Sequence, residues 1–568
     1  MDFTPPTADQ VLAMRVNAGI EGLAAHDRFA AADADMVEAI AEGIGQFAAG
    51  EFAPLNGPGD REGARLENGV VRLPAGFAEA YRDYVAQGWN VVAGPVDFGG
   101  QGLPFTLATC VLEALGAANM AFSLLPMLTV GAIEALLHHG SADQQARFLP
   151  RLVSGEWSGT MNLTEPQAGS DVGALRTTAT PAGDGRWRIK GTKIFITWGE
   201  HELADNIVHL VLARTPGAPE GSRGISLFVV PRFHVDGEGR IGARNDLKCV
   251  SLEHKMGIHA SPTCVMSYGD NDECLGELVG RENEGLKAMF TMMNAARINV
   301  GSQGVQVAER AWQQARMYAA TRVQSARAGG ASRAPVPIVE HPDVRRMLMR
   351  MRALTEASRA LLYYACGQVD RGALGDAATQ ARAECLVPLV KAWGSDVGVE
   401  VTSLNVQVHG GMGFIEETGA AQLYRDARIA PIYEGTNGIQ AADFVTRKLG
   451  LAGGEALLGL LAEAEANCGD APALAALAGE CRAVGEWMRD SASLDDRLAG
   501  SVPFATMCAV AVAGWQLQRQ ARVAGGDKPA VAAFFAAQIA TEARGLAASA
   551  RAGAALVYAL DTAALVQH

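Results

Sequence analysis

The chain has 568 residues, 49% of them hydrophobic and 19% charged, a balance that excludes disorder as its main state. Its 48 Lys and Arg against 62 Asp and Glu give a formal charge of −14, which opposes non-specific binding to nucleic acid or anionic lipid. At roughly 150 residues per domain, the length predicts about three to four domains. The nine cysteines show no CxxC spacing and read as buried thiols of a reducing compartment. The opening Met1-Asp2-Phe3-Thr4-Pro5 lacks a basic stretch followed by an apolar core, so no secretory signal is expected and the expected location is cytoplasmic.

Residues 1–158 read as an N-terminal helical domain. Residues 107–137 are apolar, with Glu113 and Glu134 as their only charges, and Ser141 before Asp143-Gln144 looks like a helix N-cap. Residues 159–276 read as a β-domain, a barrel or a sandwich. Trp187, Ile189, Ile194 and Ile196 stand in near-alternation, the runs 207–213 and 225–230 are β-rich, and turn clusters at 181–185, 216–224 and 236–239 separate them. Residues 277–450 read as a helical bundle with long helices at 284–323, 344–369 and 377–408 and a loop at 326–337. Residues 451–568 read as an extra C-terminal helical module. The longest uncharged stretch, 498–517, contains Gly500, Ser501 and Pro503. It is too weakly apolar for a membrane span, which needs about twenty strongly apolar residues, so a buried helix and no stable membrane insertion are expected. The expected fold class is thus α+β multidomain.

Several familiar chemistries are missing from the sequence: there is no GxGxxG between a strand and a helix, no P-loop, no HExxH and no metal-type Cys/His spacing. Three segments carry signal. In Met161-Asn162-Leu163-Thr164-Glu165-Pro166-Gln167-Ala168-Gly169-Ser170 a strand runs into a polar turn whose hydroxyls and amides suit the heteroatom edge of a planar ring; an ordinary strand-to-loop turn has the same look. Gln407-Val408-His409-Gly410-Gly411-Met412-Gly413 places three glycines where backbone amides can approach a phosphate, although helix C-caps also use glycine. In Ile429-Ala430-Pro431-Ile432-Tyr433-Glu434-Gly435-Thr436-Asn437-Gly438-Ile439-Gln440 one carboxylate follows an apolar approach and precedes a Gly-rich turn. Burial would raise its proton affinity and suit it to general-base work, while a solvated loop glutamate fits the same letters.

Together, in this order and at this spacing, the three segments resemble the acyl-CoA dehydrogenase family. Further matches are Lys190-Gly191-Thr192-Lys193-Ile194-Phe195-Ile196-Thr197, Leu278-Val279-Gly280-Arg281-Glu282-Asn283-Glu284-Gly285 and Arg425-Asp426-Ala427-Arg428. The resemblance covers about 40–450 and is greatest to long members with a C-terminal helical extension, the 3-methylmercaptopropionyl-CoA dehydrogenases among them. It implies FAD-dependent α,β-dehydrogenation of an acyl-CoA thioester, with Glu434 removing the α-proton and hydride passing to flavin N5.

The resemblance implies FAD-binding roles for Met161, Leu163, Thr164, Ser170, Phe195, Thr197, Arg322, Gln407, Gly410, Gly411 and Thr436. It implies substrate-binding roles for Ser170, Asn294, Arg297, Tyr433 and Gly435. Phe195 stands where many members have Trp, and Gly438 where many have Gln. Some members place the base one residue before the arginine. That position is Ala296 here, which cannot serve. The implied partners are electron-transfer flavoprotein and a second copy of the chain, as homodimer or homotetramer, with no nucleic acid and no metal. Two alternatives stand beside this reading: an acyl-CoA oxidase passing electrons to O2, and a catalytically silent nucleic-acid-binding homologue.

Overall fold

Nearly continuous apolar runs and alternating ones build one sheet together. A computed structural model describes residues 3–566, and its contacts divide them into two units, Glu42–Asn299 and Phe3–Ala41 joined with the chain from Val300 onward. In the first unit the strands of the large sheet are β1 (Trp157–Asn162), β2 (Thr178–Gly183), β3 (Arg186–Thr197), β4 (Asn206–Ala213), β5 (Ser226–Pro231), β6 (Leu247–Leu252), β7 (Thr263–Tyr268) and β8 (Leu275–Val279). They run in the order β6-β7-β3-β8-β5-β4-β1, with β2 also paired to β3. β1 pairs with β4 in parallel, and an isolated parallel bridge joins Thr178 of β2 to Arg214. Strands β1, β4 and β5 are buried at every position, which is why they read as unbroken rather than alternating. β3 alternates as far as Lys193 and then shifts phase at an irregularity where Phe195 turns left-handed, so that both Ile189 and Ile196 join Val211, Phe228, Val230, Leu247, Met266 and Tyr268 in one core.

The apolar run before the sheet is two helices, α1 (Phe105–Ala118) and α2 (Met120–His139). The break falls at Asn119, which turns extended and accepts the Phe122 amide on its side chain as an N-cap. Ser141 caps α3 (Ala142–Val153) as expected, and Gln144 completes a capping box. α2 is long and apolar enough to cross a membrane, but 83% of its most apolar window is buried inside the protein. The helical N-terminal region also holds a hairpin, Arg65–Glu67 with Val70–Arg72. Asn68 and Gly69 turn it at φ 52° and 79°, the left-handed values a tight two-residue turn requires.

The second unit is helical. α4 (Gly285–Thr321) enters it at Val300, and α5 (Pro342–Ala373), α6 (Ala377–His409), α7 (Asn437–Thr446) and α8 (Ser501–Ala524) follow. α4 and α6 cross so closely that a Cβ on Gly304 would lie 1.8 Å from the Gly394 carbonyl, a contact only glycine permits. α8 holds the uncharged stretch as a buried helix and packs on α5, α6 and α7. The N-terminal segment joins the same body. Asn17 bonds Gln516 and Gln520 of α8, and Lys528 bridges Asp9 at 2.8 Å and Glu356 at 2.9 Å.

Candidate active site

In the sheet unit the end of β1 turns back onto β3. Glu165 and Ala168 exchange backbone hydrogen bonds to close the turn, and the Ile194 amide donates to the Thr164 carbonyl at 2.9 Å. A buried ion pair fastens this contact. Lys193 Nζ lies 2.8 Å from Glu165 Oε1 and also donates to the Leu163 carbonyl at 3.1 Å. Their side chains are 0% and 4% exposed. The same carboxylate accepts the Arg176 and Thr177 amides, the Thr177 hydroxyl and the Gln167 side-chain amide. Burial alone would raise the pKa of Glu165; Lys193 and these donors outweigh it and pull the value to about 2. Burial lowers Lys193 to about 8, with Glu165 opposing. The clasp is therefore ionised at neutral pH.

Behind it lies a neutral polar chain: Thr160 Oγ1 pairs with His209 Nδ1 at 2.7 Å, Asn162 donates to Thr160, and Tyr268 Oη donates to Asn162. Burial and the nearby Arg232 push His209 down to about 3, so its ring is uncharged.

This scaffold presents the first group of sequence-predicted residues. Met161 is buried, Leu163, Thr164 and Thr197 are half-buried, and Ser170 is exposed. Phe195 is 57% exposed although apolar, and sits at φ 60°, a strained value for an aromatic residue. Hydroxyls beside an outward aromatic face, at the point where Thr164 docks on β3, suit a flat ring with polar edges. Asn294 and Arg297 lie on α4, Asn294 half-buried and Arg297 8% exposed with its guanidinium 5.9 Å from the Phe290 ring centre.

The helical unit holds the second group. Gln407 ends α6 on the surface, and the Gly410 amide returns to its carbonyl. Gly410 and Gly411 are exposed. A Cβ on Gly413 would come within 2.2 Å of the Val406 carbonyl, so the loop can fold back on the helix only with glycine there. His409 stacks on Tyr318 at 4.2 Å, which brings the last turn before Arg322 alongside this loop.

Tyr433, Glu434, Gly435 and Thr436 form the loop before α7, and Thr436 caps that helix by accepting the Ile439 amide. Glu434 is half-buried at φ 56°, and Gly435 follows at 81°. The Asn437 amide closes the loop onto the Pro431 carbonyl. Its side chain pins it to α6: Nδ2 donates to Ala392, Ser395 and Asp396, and Oδ1 accepts from Lys391 Nζ at 2.9 Å. Tyr433 Oη donates to Gln303 Oε1. Burial, and then the charge of Glu434, raise the Tyr433 hydroxyl well above the usual phenol range. Sequence reasoning missed the residues that hold both groups in place. Glu165, Lys193 and Gln440 stood inside quoted motifs without a role, and Gln303 had no local signal.

Comparison with known proteins places this arrangement. Residues 35–156, 160–270 and 283–449 match the N-terminal, middle and C-terminal domains of acyl-CoA dehydrogenase. The chain is 48% identical over 569 residues to 3-methylmercaptopropionyl-CoA dehydrogenase of Ruegeria pomeroyi, covering 95% of each chain. It is 34% identical to a broad-specificity linear acyl-CoA dehydrogenase of Mycobacterium tuberculosis, covering 93% of this chain and 94% of that one. Its fold matches that of Caenorhabditis elegans ACDH-11 in complex with C11-CoA at a TM-score of 0.75 and 20% identity, over 99% of this chain and 96% of that one. The chain belongs to the acyl-CoA dehydrogenase family.

Proposed function

We propose that the protein dehydrogenates an acyl-CoA thioester between its α and β carbons, with Glu434 as the base that removes the α-proton. The single observation that carries the assignment is the Glu434 loop. This carboxylate is half-buried, stands at a left-handed φ, and is anchored on both sides by hydrogen bonds. The α-proton of a thioester is weakly acidic, and a partly desolvated carboxylate held at fixed geometry is suited to take it. A backbone amide near the base, that of Glu434 itself, can donate to the thioester oxygen as negative charge develops there.

FAD is the cofactor, and when bound it supplies the two-electron acceptor for the β-hydrogen. The residues present fit it. Exposed Phe195 and the hydroxyls of Thr164, Thr197 and Ser170 would meet the flavin, and Arg322, Gln407, Gly410, Gly411 and Thr436 would hold the phosphates and adenine portion. Asn294, Arg297, Tyr433 and Gly435 would hold the acyl-CoA. Among acyl groups, 3-methylmercaptopropionyl-CoA is the first candidate, because the Ruegeria pomeroyi relative that is 48% identical over nearly the full length carries that name. Electron-transfer flavoprotein as acceptor, a homodimer or homotetramer as the working form and a cytoplasmic location complete the reading; all nine cysteines are buried and none is in a disulfide, which suits a reducing compartment.

The test is Glu434→Gln. Mixed anaerobically with acyl-CoA, this variant is expected to keep FAD and fold but to lose flavin bleaching by a factor of about 10² to 10⁴. Bleaching at the wild-type rate would sink the assignment.

A further inference from the structure

We infer that two buried glutamines, Gln303 on α4 and Gln440 on α7, are positioning residues that cradle the Tyr433–Gly435 backbone and so set the aim of the Glu434 carboxylate. The inference rests on the reading of Glu434 as the base and adds to it the groups that hold that base.

A non-glycine residue at φ 56° does not stay there unaided, because the left-handed region crowds Cβ against the backbone. Gln440 is 1% exposed. Its Nε2 donates to the Glu434 carbonyl at 3.2 Å and to the Gly435 carbonyl at 3.4 Å, which holds both peptide planes of the turn. Its Oε1 is buried with no hydrogen-bond partner in the protein. Leaving a buried acceptor unpaired is costly, and the side chain bears that cost while its amide serves the turn. Gln303, also 1% exposed, takes the hydroxyl of Tyr433 on the other side. One amide therefore holds the residue before Glu434, and the other holds the carbonyls of Glu434 and of the residue after it. Both glutamines are neutral, so they fix the backbone without a charge that would itself move the proton affinity of Glu434.

The test uses the FAD-loaded full chain and the rate of anaerobic flavin bleaching by a saturating acyl-CoA. Gln440→Met keeps the length and removes the donors. Expected is a fall in the bleaching rate of about tenfold to a hundredfold, with acyl-CoA affinity and FAD content unchanged. Gln303→Leu is expected to act in the same direction. Gln440→Glu adds a signature that a purely structural role would not produce. Its carboxylate cannot donate to either carbonyl, whereas its protonated form has one O–H to give to one of them, so its rate relative to wild type rises as pH falls. A Gln440→Met enzyme bleaching within about twofold of wild type overturns the inference when Glu434→Gln is dead in the same assay. So does a Gln440→Glu enzyme whose relative rate is flat with pH. An active Glu434→Gln enzyme instead overturns the reading of Glu434.

Discussion

The turn that docks on β3 and the loop that carries Glu434 do similar work by opposite means. The first is held by charge: a buried carboxylate and ammonium 2.8 Å apart, with further donors filling the carboxylate. The second is held by neutral side-chain amides, Gln303 on the loop's own Tyr433 hydroxyl and Gln440 on its carbonyls, with Glu434 in a left-handed conformation. A buried ion pair is unforgiving when one partner is lost, because the other is left as an uncompensated charge. Neutral amide contacts are each worth about 1 kcal/mol. The sheet clasp should therefore be read out as stability and the glutamine cradle as rate. A base whose proton affinity matters is better held by groups that carry no charge.

The largest effect expected from this contrast is on Lys193. Lys193→Met strands the Glu165 carboxylate and is expected to destabilise the sheet unit by about 3–5 kcal/mol, read by denaturant unfolding. Glu165→Gln is expected to cost somewhat less, about 2–4 kcal/mol, because the amide oxygen can still accept the Thr177 amide and hydroxyl, while the Arg176 amide loses its acceptor. A smaller loss would break the account of the clasp.

Acid provides the third probe. Glu165 stands at about 2 in the folded chain against its ordinary 4.5, so folding weakens its hold on the proton. Its contribution is complete above about pH 4.5 and is lost as pH falls toward about 2. Wild-type acid unfolding should be steeper across that window than that of Glu165→Gln. Asn437→Ala comes next. It frees the start of α7 from α6 and should cost about 1–2 kcal/mol, with a fall in turnover greater than any change in KM. The smallest effect is expected at Arg186, whose pair with Asp184 is on the surface. Arg186→Ala should leave the denaturant midpoint unchanged within error.

Much of the fold was legible because local signals and burial agree. β3 alternates through Ile189 as predicted, its phase shifting only after Lys193, and most of the uncharged stretch became the buried part of α8. Two signals were present but outweighed. The Asn68-Gly69 turn was lost in a region read as helix, and the N-cap at Asn119 was masked by the apolar residues on either side. The candidate base was legible only as part of a recurring motif, since a lone glutamate in a loop has no periodicity to mark it. What holds the site was not legible at all. Lys193 meets Glu165 across 28 positions and Tyr433 meets Gln303 across 130, and pairing of that kind is decided by tertiary packing.

The most direct test of Glu434 as the base bypasses turnover: exchange of the α-hydrogens of a bound acyl-CoA with D2O, followed by mass spectrometry on the FAD-loaded enzyme. Wild type is expected to label the α-carbon, Gln440→Met to label it more slowly, and Glu434→Gln to leave it unlabelled. Labelling by Glu434→Gln at the wild-type rate would contradict the account.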